Sequence, residues 1–486
     1  MTDPEAGEPR SGFQRLACEQ LFHQLIRNGC RFFCTLWIFW MGSVGATGQE
    51  PLPVFRLAHF SADVTIPLNH RCMGVLPVKS KTIADRLYAH GFVLLSEEDP
   101  IVFCGVDWCE IRNGSYNQWR TALAQAAETR PERVLLASLH QHDAPVVDED
   151  AQQLLDSVGL KNELFDRVFE QDCLRRICKL MKTSLTDAKR VTHVGIGQAR
   201  VDRIASNRRI RNRAGSISFS RGSASGGNPD LASAPVGKID PYLKTISFWN
   251  AGEPVLAMHS YATHPMSYYG RGEISADFVG LARLKLQRDK KSVKQIYFSG
   301  CSGDVTAGKY NNGSPEMRRQ LTDRLYRAMV ESWKSTEKYP LSTIRMMNRE
   351  IQLPFHQKKS LTEAALRASL ENPSKSTESR ILAAMGLASL NRVNRRLPID
   401  LPLVDLGKAK ILLFPGESFV GYQLLAQKLA PRDSFIFSIG YGECWPGYIP
   451  TEDEFADGFE DNWLWAGKGS QQVIEEAIKD LYKQPD

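Results

Sequence analysis

Short apolar runs alternate with longer stretches of helical spacing along the chain from about residue 53 onward. Buried strands are expected where an apolar run is short and almost uninterrupted. The predicted strands are residues 134–139, 255–258, 295–298 and 411–414. Helices are expected where apolar residues recur with a helical period between charged ones. The predicted helices are residues 116–129, 160–186, 277–290, 315–335 and 418–430. This interleaving predicts an α/β fold in which a mixed sheet is flanked by helices.

Two segments depart from this alternation. Residues 214–237 are rich in Gly, Ser and Ala and are predicted to form a long surface loop or lid. Four arginines precede them, at positions 208, 209, 211 and 213. We interpret this basic run as a solvated loop, with a site for anionic headgroups or a carboxylate substrate as the alternative. Residues 357–397 are helical and polar, and are predicted to form an insertion that covers one face.

The amino-terminal region has the order of a secretory signal. An uncharged apolar run at residues 32–44 follows Arg27 and Arg31, and small residues come after it. The run is shorter than the roughly 20 residues that a membrane span requires. We therefore predict a signal peptide at residues 1–48 and one domain at residues 49–486, secreted or periplasmic. A membrane anchor formed by the uncleaved segment is the alternative.

Composition narrows the class of protein. Hydrophobic residues make up 42% of the 486 residues, which is ordinary for a globular protein. The 61 basic and 55 acidic side chains give a net charge of +6, so no nucleic-acid partner is expected. The cysteines beyond residue 48 are odd in number and have no CxxC spacing, which argues against a zinc finger or a complete disulfide framework. Mostly buried thiols, with at most one disulfide bridge, are expected.

The sharpest chemical signal is the pair His140 and His142 at the end of the 134–139 strand. Side chains at positions i and i+2 of a strand lie on one face, about 7 Å apart. Two imidazoles placed in this way suit a metal ion, or one ligand beside one acid/base group. In an α/β fold, chemistry lies in the loops that leave the carboxyl ends of strands.

Other polar residues also follow apolar strands or lie in Gly-rich turns. They are His264, Asp304 and Thr306, Glu417 and Tyr448. Small residues around Asp304 and Thr306 allow backbone amides and a hydroxyl to approach a substrate closely. Asp277 is a candidate to accept the second ring N–H of a ligand histidine and so to fix its tautomer.

Taken in order, these segments resemble the catalytic domain of the neutral/alkaline, non-lysosomal ceramidase family. The resemblance runs from about residue 55 to 465. The matching segments are SADVTIPLNHRCMGV at 61–75, LYAHGFVLL at 87–95, the strand before Asp107, His-x-His at 140–142, SNRR at 206–209, IDPYLKTISF at 239–248, THP at 263–265, GDV at 303–305, PGE at 415–417 and GYIPTEDEF at 447–455.

The resemblance implies a zinc ion and a ligand set. The family's two histidines, glutamate and tyrosine correspond to His140, His264, Glu417 and Tyr448. His142 corresponds to an acid/base or oxyanion-contacting group. Asp304 and Thr306, in the substrate-contacting loop, are the other expected catalytic residues. Donors of the Asp304 loop are expected to stabilise the oxyanion, and Thr306 to orient the substrate hydroxyl or act as nucleophile. Thr306 stands where the family has a serine, and the Pro-Asn that follows it there is Ala-Gly here, which alters the expected pocket. The chain ends soon after Tyr448, so no C-terminal immunoglobulin-like domain is expected.

The expected activity is zinc-dependent hydrolysis of the amide bond of ceramide or a related N-acyl lipid. The apolar chains of such a substrate require a groove or a membrane surface, and residues 214–237 are a candidate wall. No obligate protein partner is inferred. One alternative is a secreted zinc amidase or esterase with another substrate, which the Thr306 loop makes credible. Another is a non-catalytic secreted binding protein on the same fold.

Overall fold

Three mixed β-sheets organise the protein, whose computed structural model describes residues 54–212 and 215–483. The predicted signal segment, residues 1–48, lies outside the described residues. The strands are β1 (Phe55–Asp63), β2 (Thr82–Ile83), β3 (Tyr88–Leu95), β4 (Ile101–Val106), β5 (Glu110–Arg112), β6 (Val134–Ser138), β7 (Val146–Asp148), β8 (Lys189–Val191), β9 (His193–Arg200), β10 (Ser206–Asn207), β11 (Ile210–Arg211), β12 (Ile217–Ser218), β13 (Tyr242–Asn250), β14 (Glu253–Tyr261), β15 (Glu273–Ile274), β16 (Lys294–Ser299), β17 (Val305–Thr306), β18 (Glu337–Pro340), β19 (Arg345–Ile351), β20 (Ile399–Asp405), β21 (Ala409–Leu413), β22 (Glu417–Ser418), β23 (Phe435–Ile439) and β24 (Tyr448–Ile449).

Helices connect and cover these sheets. They are α1 (Asn113–Ala127), α2 (Glu149–Ser157), α3 (Arg167–Leu185), α4 (Pro229–Ser233), α5 (Asp277–Asp289), α6 (Pro315–Lys334), α7 (Glu363–Glu371), α8 (Thr377–Asn394), α9 (Val420–Leu429), α10 (Glu452–Ala456) and α11 (Ser470–Tyr482). None of the helices in the described ranges has the length and apolar character that a membrane crossing requires. The predicted α/β class, with mixed sheets flanked by helices, is confirmed.

The three sheets share one plan. Their strand orders are β6-β4-β3-β1-β8, β16-β14-β13-β9-β18 and β19-β20-β21-β23. Each has antiparallel pairs and, at one edge, a single parallel pair: β4 with β6, β14 with β16, and β21 with β23. A parallel pair needs a crossover, and the helices α1, α5 and α9 provide the three crossovers.

The sheets pack on one another through a shared apolar core. Phe92 of the first sheet stacks on Phe103 at 4.6 Å between ring centroids, and its ring lies 5.5 Å from that of Phe248 in the second sheet. Ile411 and Phe437 of the third sheet are fully buried in the same core. This packing fixes the three parallel pairs relative to one another.

Two helical predictions differ from the structure in detail. Helix α3 begins at Arg167 rather than at residue 160, because the Asp166 carboxylate caps it by accepting hydrogen bonds from the amides of Val168 and Phe169. The predicted insertion at residues 357–397 is helical, but α8 does more than cover a face. Its Ile381 and Leu387 side chains are fully buried in the large core beneath the first sheet.

The cysteines in the described part of the chain are all free. Six of the seven are buried, and Cys178 is half-buried.

Candidate metal centre

The carboxyl ends of the three parallel pairs meet at one place. The Ser138 amide at the end of β6 donates to the Tyr441 carbonyl, just beyond β23, at 3.0 Å. The Gly440 amide in turn donates to the Ser299 carbonyl at the end of β16, at 2.8 Å. The loops leaving these strands therefore project their side chains into a common space, as expected for an α/β fold.

Three of the predicted ligand residues converge there. His140 Nε2 lies 3.2 Å from Glu417 Oε2, and His264 Nε2 lies 2.9 Å from the same oxygen. One ligand atom from each of the three residues lies within 4.8 Å of the others, and all three side chains are buried. This spacing suits one metal ion with nitrogen and oxygen ligands.

The outer nitrogens of both imidazoles face carbonyl groups. His264 Nδ1 lies 2.6 Å from the Ser302 carbonyl oxygen, and His140 Nδ1 lies 3.0 Å from that of Cys109. A carbonyl only accepts, so each Nδ1 carries the proton and donates it, and each Nε2 presents a lone pair to Glu417. With no proton on either Nε2, two lone pairs and a carboxylate oxygen converge in a buried site, and a metal cation between them would satisfy all three. The donor set therefore fits a zinc ion.

The protonation equilibria of Glu417 and His264 agree with this arrangement, whereas for His140 burial is outweighed by the charge of Glu417, which raises the pKa. Burial alone raises the pKa of Glu417, but the charges and hydrogen bonds of His140 and His264 outweigh it and hold the pKa well below its usual range. Burial and the charge of Arg208 lower the pKa of His264 to about 4. A carboxylate and a neutral imidazole are the forms that bind a metal ion.

Backbone strain accompanies the centre. His140 and Tyr441 both have left-handed backbone conformations, with φ of 70° and 58°, which non-glycine residues adopt infrequently. Their rings stack at 4.3 Å between centroids with an interplanar angle of 14°. The Tyr441 hydroxyl is hydrogen-bonded with the Ser302 hydroxyl at 2.8 Å. Strained residues of this kind persist where the surrounding structure holds them, and they cluster at functional sites.

His142 lies beside the three converging residues. Its ring centroid is 5.2 Å from that of His140 and 6.1 Å from that of His264. Both of its ring nitrogens are buried without a hydrogen-bond partner among the described residues. Burial and the charges of His140 and His264 lower its pKa well below the ordinary value, so the ring is neutral and one nitrogen offers a free lone pair.

Tyr448 reaches the centre through a short parallel pair, in which it lies opposite Glu417. Its ring centroid is 6.3 Å from that of His264, and its hydroxyl oxygen accepts a hydrogen bond from Arg208 Nη1 at 2.7 Å. The expectation that Arg208 belongs to a solvated loop is wrong. Strand β10 pairs with β17, and the Arg208 amide donates to the Asp304 carbonyl at 2.7 Å, which draws Arg208 inward.

Asp304 and Thr306 lie next to the centre but do not line its cavity. Asp304 accepts hydrogen bonds from the Asn207 side chain at 2.6 Å and from the Val420 amide at 2.7 Å. Burial raises its pKa to about 6. Thr306 forms a β-bridge with His264, and its hydroxyl is buried without a partner among the described residues. Asp304 therefore joins the loop after β16 to Asn207 and to the amino end of α9.

Asp277 does not orient a ligand histidine. Its carboxylate accepts the Ser267 amide at 2.9 Å and lies 3.6 Å from the Arg318 guanidinium. The Ser302 carbonyl holds the His264 ring instead. The expectation failed because the Ser302 carbonyl, in the loop after β16, accepts the His264 ring N–H in place of the Asp277 carboxylate. Sequence spacing carries no information about the position of that loop.

A cavity of about 240 Å³ opens above the centre. Gly222 and Ser223 of the Gly-rich loop form part of its wall, as expected for residues 214–237. Sequence reasoning missed several other lining residues: Met73, Cys109, Met266, Tyr269, Asp461 and Trp463. They come from distant parts of the chain. Of the six, only Met73 lies in a segment that matches the ceramidase family, and this match was the one sequence signal that pointed to it.

Comparison with known proteins gives a fold. No family model matches the chain, and no curated protein matches it in sequence. The crystal structure of neutral ceramidase from Pseudomonas aeruginosa is similar with a TM-score of 0.64 and 18% identity, over 89% of this chain and 75% of that one. A ceramidase complexed with C2 is similar with a TM-score of 0.64 and 17% identity, over 90% and 78%. The fold that the sequence resemblance implied is therefore confirmed.

Proposed function

We propose that the protein is a zinc-dependent hydrolase that cleaves the amide bond of ceramide or a related N-acyl lipid. The observation that carries the proposal is the convergence of His140, His264 and Glu417, of which His140 and Glu417 line a cavity. It occurs on a fold shared with ceramidases. As part of the same proposal, residues 1–48 direct the protein to a secreted or periplasmic location, with a membrane anchor as the alternative.

The metal would be held by His140, His264 and Glu417, with Tyr448 as a fourth, weaker ligand. Zinc supplies a Lewis acid that polarises a carbonyl group and acidifies water toward a pKa of about 7. Burial raises the pKa of Tyr448 well above its ordinary value, and the nearby Arg208 guanidinium opposes that shift. Arg208 thus stabilises negative charge on the Tyr448 oxygen, which favours its use as a ligand.

His142 is the group that moves the proton. It is neutral, it lines the cavity beside the two ligand histidines, and both of its buried nitrogens lack a partner among the described residues. A neutral imidazole accepts a proton from the attacking water and returns it to the leaving amine nitrogen, which must be protonated before the C–N bond breaks. Because Nε2 of His140 and of His264 points at Glu417, His142 is the histidine of the three that remains free for this task.

The cavity fits the reacting part of a lipid better than a whole lipid. Its volume of about 240 Å³ lies below the range of about 300–1,000 Å³ that is usual for drug-sized ligands. Met73, Met266, Tyr269 and Trp463 give it apolar walls. The amide group would enter it, while the apolar chains extend past Ser223 over the protein or into a membrane surface.

A second candidate is a zinc amidase or esterase that acts on another N-acyl substrate. Thr306 favours it, because this residue forms a β-bridge with His264 and carries one methyl group more than the serine of the resembled family. A non-catalytic binding protein is the third candidate. Fatty acid release from ceramide, compared with release from acyl-amino-acid and ester substrates, distinguishes the three.

The decisive experiment combines metal content with turnover before and after chelation. We expect one zinc per chain, loss of ceramide hydrolysis on chelation, and recovery with added zinc. His140→Ala is expected to lower metal affinity and activity by at least about 100-fold, since even an outer partner of a ligand contributes up to that factor. His356→Ala, at a half-buried histidine outside the cavity, is the matched control. Full activity of the zinc-free His140→Ala protein would contradict the proposal.

A further inference from the structure

We propose that Cys109 and His142 form a second cation site, for a thiophilic ion such as Zn²⁺ or Cd²⁺, beside the three-ligand centre. Cys109 follows β4. The parallel partner of β4 is β6, the strand that leads to His140. The thiol plays no part in holding the first ion in the arrangement described above. It nevertheless lines the same cavity as the ligands.

Ligand atoms of three residues are close together on this side of the cavity, and those of Cys109 and His142 are not used by the first ion. One ligand atom each from Cys109, His140 and His142 lies within 4.8 Å of the others, and all three side chains are buried. Cys109 Sγ lies 3.9 Å from His140 Nδ1. Both nitrogens of His142 lack a partner among the described residues, so one nitrogen lone pair is unused in a residue that lines the cavity. Sulfur and imidazole together select thiophilic and borderline metal ions.

The geometry separates this site from the first one. His140 Nε2 faces Glu417, whereas Nδ1, on the opposite edge of the ring, faces Cys109. Ligand atoms of His142, Cys109 and His140 lie within 4.8 Å of one another. Those of His142, His140 and Glu417 do not form such a group. With His140 committed to the first ion, Cys109 and His142 remain as ligands and solvent completes the coordination. The Cys109 thiol releases its proton to solvent when the ion binds.

Occupation of the second site has a consequence that rests on the proposed function. An ion bound to His142 takes the lone pair that accepts the proton during amide hydrolysis. It also fills part of a cavity of about 240 Å³. Excess Zn²⁺ or Cd²⁺ should therefore inhibit hydrolysis, while the first equivalent of zinc supports it.

The test titrates the zinc-loaded full chain with Cd²⁺ and follows the thiolate-to-cadmium charge-transfer absorption together with the bound metal count. We expect the wild type to bind one more equivalent than Cys109→Ser, and to show charge-transfer absorption that Cys109→Ser lacks. Other thiols are common to both proteins and cancel in the difference. Cys178→Ser, which removes a half-buried thiol on α3, is the matched control and should behave as wild type.

A second variant keeps the test informative if Cys109→Ser folds poorly. His142→Asn retains the thiol and should bind the extra Cd²⁺ at least about tenfold more weakly, since even outer partners of a metal contribute that much. If the zinc-free chain shows charge-transfer absorption with its first equivalent of Cd²⁺, the thiol belongs to the single centre and the inference is overturned. So would equal metal counts in the wild type and Cys109→Ser. If the extra metal ion binds but no substrate is hydrolysed, the second site is supported and the proposed function is refuted.

Discussion

At the scale of single residues, Glu110 connects the candidate metal centre to its cavity wall. Its Oε1 accepts a hydrogen bond from Trp463 Nε1 at 3.1 Å and lies 3.9 Å from His140 Nδ1. Its Oε2 accepts from Arg112 Nη1 at 2.8 Å. Burial raises the pKa of this carboxyl, and the Arg112 charge opposes the shift. Glu110 is thus a positioning residue that places negative charge beside a metal ligand.

Glu110→Gln should weaken metal binding by about 10- to 100-fold, the usual effect of losing an outer carboxylate partner. The amide oxygen still accepts from Trp463, so the wall is retained while the charge is lost. Competition with a chelator of known affinity measures the effect, and Glu98→Gln, at an exposed carboxylate paired with Arg133, is the control. Unchanged affinity in Glu110→Gln would show that its carboxylate does not support His140.

From the sequence we identified site residues that follow apolar strands. We did not identify those that strand pairing brings to the site from other parts of the chain. His140, His264 and Glu417 each follow a strand of a parallel pair, and the resemblance to ceramidases predicted them as one ligand set. Arg208 lies in a basic run that has the composition of a solvated loop, and Cys109 has no motif around it. Their positions depend on strand pairings such as β10 with β17, which leave no pattern in the sequence.

At the scale of elements, the turn after β16 depends on a glycine. A Cβ atom at Gly303 would lie 2.2 Å from the Glu417 carbonyl oxygen, so β22 has no space for a side chain there. Gly303→Ala should shift Glu417, lower stability by about 1–3 kcal/mol, and reduce metal binding. Urea unfolding and metal content measure the two effects. Gly252→Ala, where no atom lies within 4 Å of the added Cβ, should change neither. Normal metal content in Gly303→Ala would contradict this account.

Helix α3 carries a buried acid in its first turn. Trp119 Nε1 donates to Glu170 Oε1 at 3.0 Å, and this hydrogen bond joins α1 to α3. Burial raises the pKa of Glu170 to about 7 from an ordinary value of 4.5, although hydrogen bonds from Ser115 and Trp119 oppose the shift. The folded state therefore holds this proton more tightly than the unfolded state does.

The sign of the pH effect follows from that difference. The stability that the proton linkage contributes is fully present below about pH 4.5 and is lost as the pH rises through about 7. Glu170→Gln has no proton to lose and keeps the oxygen that Trp119 contacts. Its free energy of unfolding should therefore rise relative to wild type by up to about 3 kcal/mol between these pH values. Urea unfolding across the range measures this, with exposed Glu371→Gln as control. A pH-independent difference would refute it.

At the scale of the whole molecule, three parallel pairs at three sheet edges supply the centre. The alternation of apolar runs and helical stretches predicted an α/β fold, because buried parallel strands and crossover helices produce that pattern. It predicted a mixed sheet, but not the division into three sheets. Which strands pair depends on side-chain packing such as Phe92 against Phe248, and the lengths of the apolar runs do not encode it.

A buried ionic network ties distant parts of the chain together around Arg112. Its guanidinium is fully buried and forms ion pairs with Glu110 at 2.8 Å and Asp148 at 3.2 Å. It donates to the Ser389 hydroxyl of α8 at 3.1 Å, and it lies 4.5 Å from the centre of the Trp465 ring. The β5–β7 pair, α8 and the carboxyl-terminal segment thus meet at one cation.

Arg112→Ala should destabilise the protein by about 3–5 kcal/mol, because it leaves the buried carboxylates of Glu110 and Asp148 without a counter-charge. Urea unfolding measures the loss. Arg130→Ala removes an exposed guanidinium that pairs with Asp99 at 3.4 Å, and should change stability by less than about 1 kcal/mol. Asp148→Asn combined with Arg112→Met should recover part of the loss, since a neutral pair of similar size needs no counter-charge. If Arg112→Ala is as stable as Arg130→Ala, the network does not hold these segments together, and their apolar contacts alone do so.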